Sequence, residues 1–291
     1  MSAEQAAAEA RPTVVLLHSS ASSSRQWQPL MQALEPSFRV HALDLHGHGE
    51  RPAWRGTSPL TLADEAALAQ HVMTAGPVHL VGHSYGAAVA LKLALLHPQR
   101  VRSLVAFEPV LMSWLADDEP NGSATQALLA TACLVRVGLT RGRADDAARH
   151  FIDYWSGAGQ WSRLPLARQA AMAARMPAIA LQFDALAAEP SIAHDLQTLA
   201  ARRLPSLWLS GEATVGATGR IAERLRVALP EALHERLPNM GHMGPITHAA
   251  EVNRRVLRFL QGHAQGAQRR TGKPQQTNRS SPGLHAPASL R

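Results

Sequence analysis

Ser84 is the residue of this chain best placed for covalent chemistry. It stands in Gly82-His83-Ser84-Tyr85-Gly86, after the apolar run Val78 to Val81 and before a clean helical pattern from Tyr85 to Leu96. A strand that turns directly into a helix holds a serine at the turn on strained backbone, with its oxygen lifted clear of the strand end. Glycine on both sides lets the neighbouring strand and helix approach. The helix N-terminus favours negative charge at the same spot. An alcohol at neutral pH is a poor nucleophile, so the reading requires a base. Fifteen histidines are available. His79, His83 and His97 read as packing or surface residues. His46 and His48 share a glycine turn, but no cysteine or carboxylate cluster joins them, so no metal is expected. The single cysteine, Cys133, excludes a disulfide framework and a cysteine-rich zinc site, and reads as a small core residue.

The elements that must hold these residues alternate. Strand-like runs at Val14 to Leu17, Arg39 to Leu43, Val78 to Val81 and Val101 to Phe107 are separated by helical patterns at Ser24 to Leu34, Leu62 to Met73 and Tyr85 to Leu96. This order predicts a parallel sheet covered on both faces. From Val110 to about Leu204 the alternation gives way to an Ala-rich helical pattern broken at Gly138, Gly157, Pro165, Pro177 and Pro190. Strands return at Ser206 to Leu209 and Leu233 to Leu237, with a helix at Gly219 to Ala228 between them and a last helix at Ala249 to Leu260. The expected plan is a flexible N-terminus at 1–12, an α/β core at 13–109 and 205–261, a helical cap at 110–204 and a disordered basic tail at 262–291. The insertion falls near the C-terminal edge of the sheet, where such sheets bind ligands.

Composition narrows the classes. With 291 residues, 46% hydrophobic and 18% charged, the chain is neither disordered, collagen-like nor coiled coil. The net charge of +7 invites a nucleic-acid reading. Beyond residue 262, however, Arg269, Arg270, Lys273, Arg279 and Arg291 meet no acidic residue, so the tail carries five of the seven charges and the body about two. Excess charge in such a Gln/Arg/Ser/Pro/Gly stretch reads as a solvated end rather than a nucleic-acid interface. The N-terminus lacks the basic and apolar regions of a signal peptide. No apolar run approaches the roughly 20 residues of a membrane helix. A cytoplasmic protein with no membrane partner is expected.

Four segments together resemble the α/β-hydrolase family over about residues 13–261. They are Leu16-Leu17-His18-Ser19-Ser20, Asp44-Leu45-His46-Gly47-His48-Gly49, the elbow Gly82 to Gly86, and Asn239-Met240-Gly241-His242-Met243-Gly244-Pro245. The resemblance implies an α/β-hydrolase fold, mostly parallel with about six strands and a helical cap. It also implies Ser84 as nucleophile and His242 as the base that takes its proton and returns it to the leaving group. The oxyanion would be held by the backbone N–H groups of Tyr85 and Ser20. His248, past Pro245, is the weaker candidate base. No cofactor is implied.

The chain departs from the family pattern at three places. Ser19 stands where the family usually has Gly, which requires ordinary backbone angles there. The usual acid, an Asp three residues beyond a Gly, is replaced in Gly211-Glu212-Ala213-Thr214 by Thr214, which cannot hold an imidazolium. Glu108, at the end of the strand after the nucleophile helix, is the expected acid, as in some branches of the fold, and Glu212 is the alternative. Asp44 comes too early and reads as fixing its own turn. Finally, only about twelve residues precede the first strand, so the sheet is expected to lack the usual hairpin and to leave an edge that a second copy of the chain could cover as a homodimer.

A serine nucleophile points to hydrolysis of an ester or related acyl bond through an acyl-enzyme. Acyl transfer, carbon–carbon cleavage and perhydrolysis by the same fold are alternatives. A third is a ligand-binding protein on a hydrolase scaffold, for which Thr214 is the supporting feature. Met112, Trp114, Leu115, Trp155, Trp161 and Phe183 in the insertion are candidate walls of an apolar pocket for a small molecule. No cationic cluster recommends a phosphorylated or CoA-linked substrate.

Overall fold

The computed structural model describes residues 11–74, 76–190 and 192–271. β1 (Thr13–Leu17) leads through a 3₁₀ turn (Ser24–Trp27) into α1 (Gln28–Leu34), then β2 (Arg39–Leu43), α2 (Leu62–Ala67), α3 (Gln70–Met73), β3 (Val78–His83), α4 (Tyr85–Leu96) and β4 (Val101–Phe107). A helical insertion follows: α5 (Met112–Asp118), α6 (Ser123–Thr140), α7 (Ala144–Ser156), α8 (Gln160–Arg163), α9 (Leu166–Ala173), α10 (Met176–Ala188) and α11 (Ala193–Ala201). The core resumes with β5 (Ser206–Gly211), α12 (Gly216–Ala228), β6 (Leu233–Leu237), α13 (Gly244–Thr247) and α14 (Ala249–Thr271).

The six strands form one sheet in the order β2-β1-β3-β4-β5-β6, and every pairing is parallel. Alternation along the strands divides the core into two layers. Val14 and Leu16 of β1 join Val81, Val105, Leu207 and Leu209 against α1 and α14, around Trp27, Leu30, Val252 and Val256. Val15 and Leu17 join Leu80, Leu104 and Trp208 against α2–α4, α12 and the insertion. Burying a large apolar side chain stabilises by about 1.5–3 kcal/mol, which explains why strands covered on both faces are almost wholly apolar. The strand order reverses between β1 and β3, so a crevice opens above the C-terminal ends of these two strands.

Four sequence expectations need correction. The pattern at 62–73 is two short helices rather than one, with the capping box of Thr61 and Asp64 fixing the first. The last helix continues to Thr271, so residues 262–271 of the expected disordered tail are helical, as befits a stretch rich in Gln, Ala and Arg. The rest of that tail, and residues 1–10 of the N-terminus, lie outside the described residues. The third correction concerns α6, whose 18 residues are long and apolar enough, by length and composition alone, to cross a membrane. Its inner face, Thr125, Leu128, Thr131, Val135 and Gly138, packs against α7, α10 and α12. Cys133 lies on the outer side of this helix and is exposed, not a core residue.

Candidate active site

Ser84 sits between β3 and α4 at φ 57° and ψ −119°, off the regions ordinary L-residues occupy. The glycines on either side are dictated by close approach. A Cβ on Gly82 would lie 2.5 Å from Ala87 Cα, and one on Gly86 would lie 2.4 Å from the carbonyl oxygens of Leu17 and His18. The turn is tied to the sheet by the Ser84 N–H, which donates to the Phe107 carbonyl at 2.9 Å.

Two loops bring His242 and Glu108 to this serine. His242, between β6 and α13, accepts the Ser84 hydroxyl at Nε2 over 2.8 Å. Its Nδ1–H donates to Glu108 Oε2 at 2.7 Å. Glu108 extends the β4–β5 pairing by one residue, its N–H bonded to the Leu209 carbonyl at 2.9 Å, before the chain turns at φ 45°. Its carboxylate also accepts the Gly211 N–H at 2.7 Å and the Thr214 hydroxyl at 2.5 Å. Burial alone would raise this carboxyl. The donors His242, Gly211 and Thr214 outweigh burial and hold it below the usual carboxylate range. Glu212 is exposed, with its N–H on the Leu237 carbonyl, and does not reach His242. His248 is exposed and bonded to its neighbour Thr247.

The loop after β1 carries Ser19 and Ser20 into the same cavity as Ser84, Tyr85 and His242. Its left-handed residue is Ala21 at φ 60°, while Ser19 keeps ordinary φ. Buried histidines hold this loop. Burial pushes His18 down to about 3, so it is neutral; its Nε2 accepts the Leu45 N–H and its Nδ1–H donates to the Ser19 carbonyl at 2.7 Å. His48 Nε2 accepts the Ala21 N–H at 3.2 Å. Asp44 accepts the N–H groups of Ser24 and Glu50. His83, read from the sequence as a packing or surface residue, has a more specific place. Its Nε2–H donates to the His242 carbonyl at 2.8 Å, and its Nδ1 accepts Gln26 Nε2 at 3.1 Å. Gln26 Oε1 in turn accepts the Ser19 N–H and hydroxyl. One chain of bonds, buried at its His83 end, thus runs from the β1 loop to the histidine loop.

The cavity measures about 690 Å³. Phe151, Ile152, Trp155, Met172, Ile179 and Phe183 give it an apolar side. The Trp155 ring stacks on His242, centroids 4.2 Å apart and planes at 29°. Met112, Trp114, Leu115 and Trp161 are not on its wall. Met112 and Trp114 face a small separate crevice against Leu62, Ala88 and Leu91, with the Arg224 guanidinium 6.0 Å from the Trp114 ring. Trp161 is buried elsewhere in the insertion. These side chains serve the packing of the insertion on the core. A better signal lay in α10, where Ile179, Gln182, Phe183 and Leu186 share one helix face and all reach the cavity.

A family model described as the alpha/beta hydrolase fold matches residues 12–249. Over 126 residues the chain is 38% identical to a pimeloyl-[acyl-carrier protein] methyl ester esterase of Aeromonas hydrophila subsp. hydrophila, covering 40% of this chain and 45% of that protein. Over 258 residues it is 31% identical to the dihydrolipoyllysine-residue acetyltransferase component of the acetoin cleaving system of Pseudomonas putida, covering 86% of this chain and 64% of that one. The chain spans 39–45% of the length of the first curated relatives it matches. A thermophilic esterase from Thermogutta terrifontis shares the fold, with a TM-score of 0.68 at 21% identity over 87% of this chain and 90% of that one.

Proposed function

The chain belongs to the alpha/beta hydrolase fold family, and we propose that within it this protein is a serine hydrolase that cleaves an ester or related acyl bond of a small substrate through an acyl-enzyme. The observation that carries the reading is the unbroken line Ser84 Oγ, His242 and Glu108, joined by bonds of 2.8 and 2.7 Å. As Ser84 Oγ attacks the carbonyl carbon, its proton passes to His242 Nε2. The charge that forms on the imidazole is opposed by Glu108, which also fixes the tautomer by accepting Nδ1–H. The oxyanion is held by the N–H groups of Tyr85 and Ser20, each of which is worth about 3 kcal/mol in comparable sites. His242 then returns the proton to the leaving alcohol, and water repeats the sequence on the acyl-serine to release the acid.

Thr214, the feature that spoke for a non-catalytic scaffold, instead donates its hydroxyl to the acid. It stands at the usual acid position and supports the carboxylate that took over. The 31% identity to an acetyltransferase component favours one second reading, in which an alcohol or thiol rather than water accepts the acyl group. Product analysis with added acceptors separates the two. The test of the main reading is covalent labelling with a fluorophosphonate. Wild type and Glu212→Gln are expected to label, Ser84→Ala is expected not to, and Glu108→Gln is expected to label far more slowly. A well-folded wild type that takes no label would refute it.

A further inference from the structure

The charged lining of the cavity is of one sign. Arg25, Arg168 and Arg175 reach it, and among the described residues no Asp or Glu does. They come from the turn before α1, from α9 and from the residue preceding α10, so the grouping is created by the fold and leaves no basic run in the sequence. Elsewhere arginines such as Arg136, Arg220, Arg224 and Arg255 are matched by carboxylates. These three form no ion pair among the described residues, and the bond that Arg175 makes is from Nη1 to the Ala21 carbonyl at 2.8 Å.

A second observation points the same way. Gln182, only 1% exposed on α10, accepts the Ser20 hydroxyl at Oε1 over 2.6 Å. That bond commits its oxygen, and Nε2 is left buried without a partner on a side chain that lines the cavity. Buried donors are nearly always satisfied, and one left open on the wall of a cavity that also holds Ser84 is a place for an acceptor atom of a ligand. The polar side of the cavity therefore offers positive charge and N–H donors and no negative charge. Guanidinium forks match carboxylate and phosphate oxygens in pairs, and a cleft lined by one sign concentrates ligands of the other.

We propose that Arg25, Arg168 and Arg175, together with Gln182 Nε2, form a subsite for an anionic oxygen group on the substrate, so that the enzyme prefers acyl substrates bearing a carboxylate or phosphate to neutral ones. The inference rests on the hydrolase reading and adds a substrate class to it. Arg25 and Arg168 lie at the exposed mouth and draw the anion in, while Gln182 acts deeper, beside Ser20.

The test compares 4-nitrophenyl hydrogen glutarate with its neutral methyl ester. At low salt the wild type is expected to favour the anion roughly tenfold in kcat/KM, mainly through KM, and the preference is expected to shrink at about 0.5 M NaCl. Arg168→Gln and Arg25→Gln should each lower the ratio between the two esters by roughly threefold, a ratio in which any general loss of folded enzyme cancels. Glutarate and inorganic phosphate, used as competitors against the neutral ester, distinguish the two sources of charge: the stronger inhibitor identifies the group. Equal turnover of both esters with no inhibition by either anion overturns the subsite and leaves the hydrolase standing. No turnover of either ester and no fluorophosphonate label overturns both.

Discussion

At the C-terminal edge of the sheet and in the helical insertion, two kinds of structure meet one cavity. On the sheet side, Ser84, Glu108 and Ala21 all have left-handed φ, and Asn239, three residues before His242, does too. Such backbone costs on the order of 1–3 kcal/mol per residue and persists only where its surroundings leave no alternative. Here they do not: β3, β4 and the elbow are locked by bonds of about 2.9 Å and by glycines that admit no Cβ. On the insertion side, Trp155, Gln182, Phe183, Arg168 and Arg175 are ordinary helix residues or helix neighbours, and their places depend on which face a helix turns inward. Reactive atoms are thus fixed by backbone geometry, and the shape and charge of the pocket by side chains alone. Changes on the sheet side should therefore alter turnover, and changes on the insertion side should alter which substrate is turned over.

The sharpest way to break that division is at the acid. Glu108→Gln removes the negative charge opposite His242 and places an amide where Nδ1–H needs an acceptor. A fall of about 10³–10⁴ in kcat/KM is expected, with Glu212→Gln within about twofold of wild type. Equal losses in both variants would mean that neither position is special. His83→Phe breaks the link between the β1 loop and the His242 carbonyl without touching substrate. Here kcat should fall about 10–100-fold while KM holds, because two buried polar groups lose partners and the histidine loop loosens. A rise in KM alone would place His83 on the substrate side.

Trp155→Leu sharpens the comparison from the other side. Its ring covers His242 and would favour an imidazolium formed there under the proposed mechanism. A change of about tenfold, shared between kcat and KM, is expected, with the fluorophosphonate label retained. Complete loss of labelling would show that the insertion builds the reactive site as well as the pocket. The smallest effect concerns stability. Glu65 accepts the His46 N–H and the Tyr85 hydroxyl beneath the elbow, and burial pushes its carboxyl up to about 7. In the unfolded chain the group ionises near 4.5, so between about pH 4.5 and 7 the unfolded state loses its proton while the folded state keeps it. Stability falls with rising pH across that window and is level above it. Glu65→Gln lacks this slope, so the wild type should lose about 1–3 kcal/mol more than the variant between pH 5 and 8 in urea midpoints.

Periodicity and turn chemistry, read along the chain, determined the strand–helix alternation, the break at Val110 and the elbow around Ser84, because each depends on neighbours within a few residues. The Gly-His turn at His242 and the proposed acid, Glu108, were legible as positions at strand ends. Their bonding could not be read, since Glu108 and His242 are 134 residues apart and meet only because β4, β5 and β6 lie side by side. Which tryptophans face the cavity was equally out of reach: Trp114, Trp155 and Trp161 all belong to the helical insertion, and only the packing of α5, α7 and α8 separates wall from core. The same holds for Arg25, Arg168 and Arg175. A sequence carries the local rules by which each element forms, whereas a pocket is a property of surfaces from distant elements, and only the folded chain decides which of them converge.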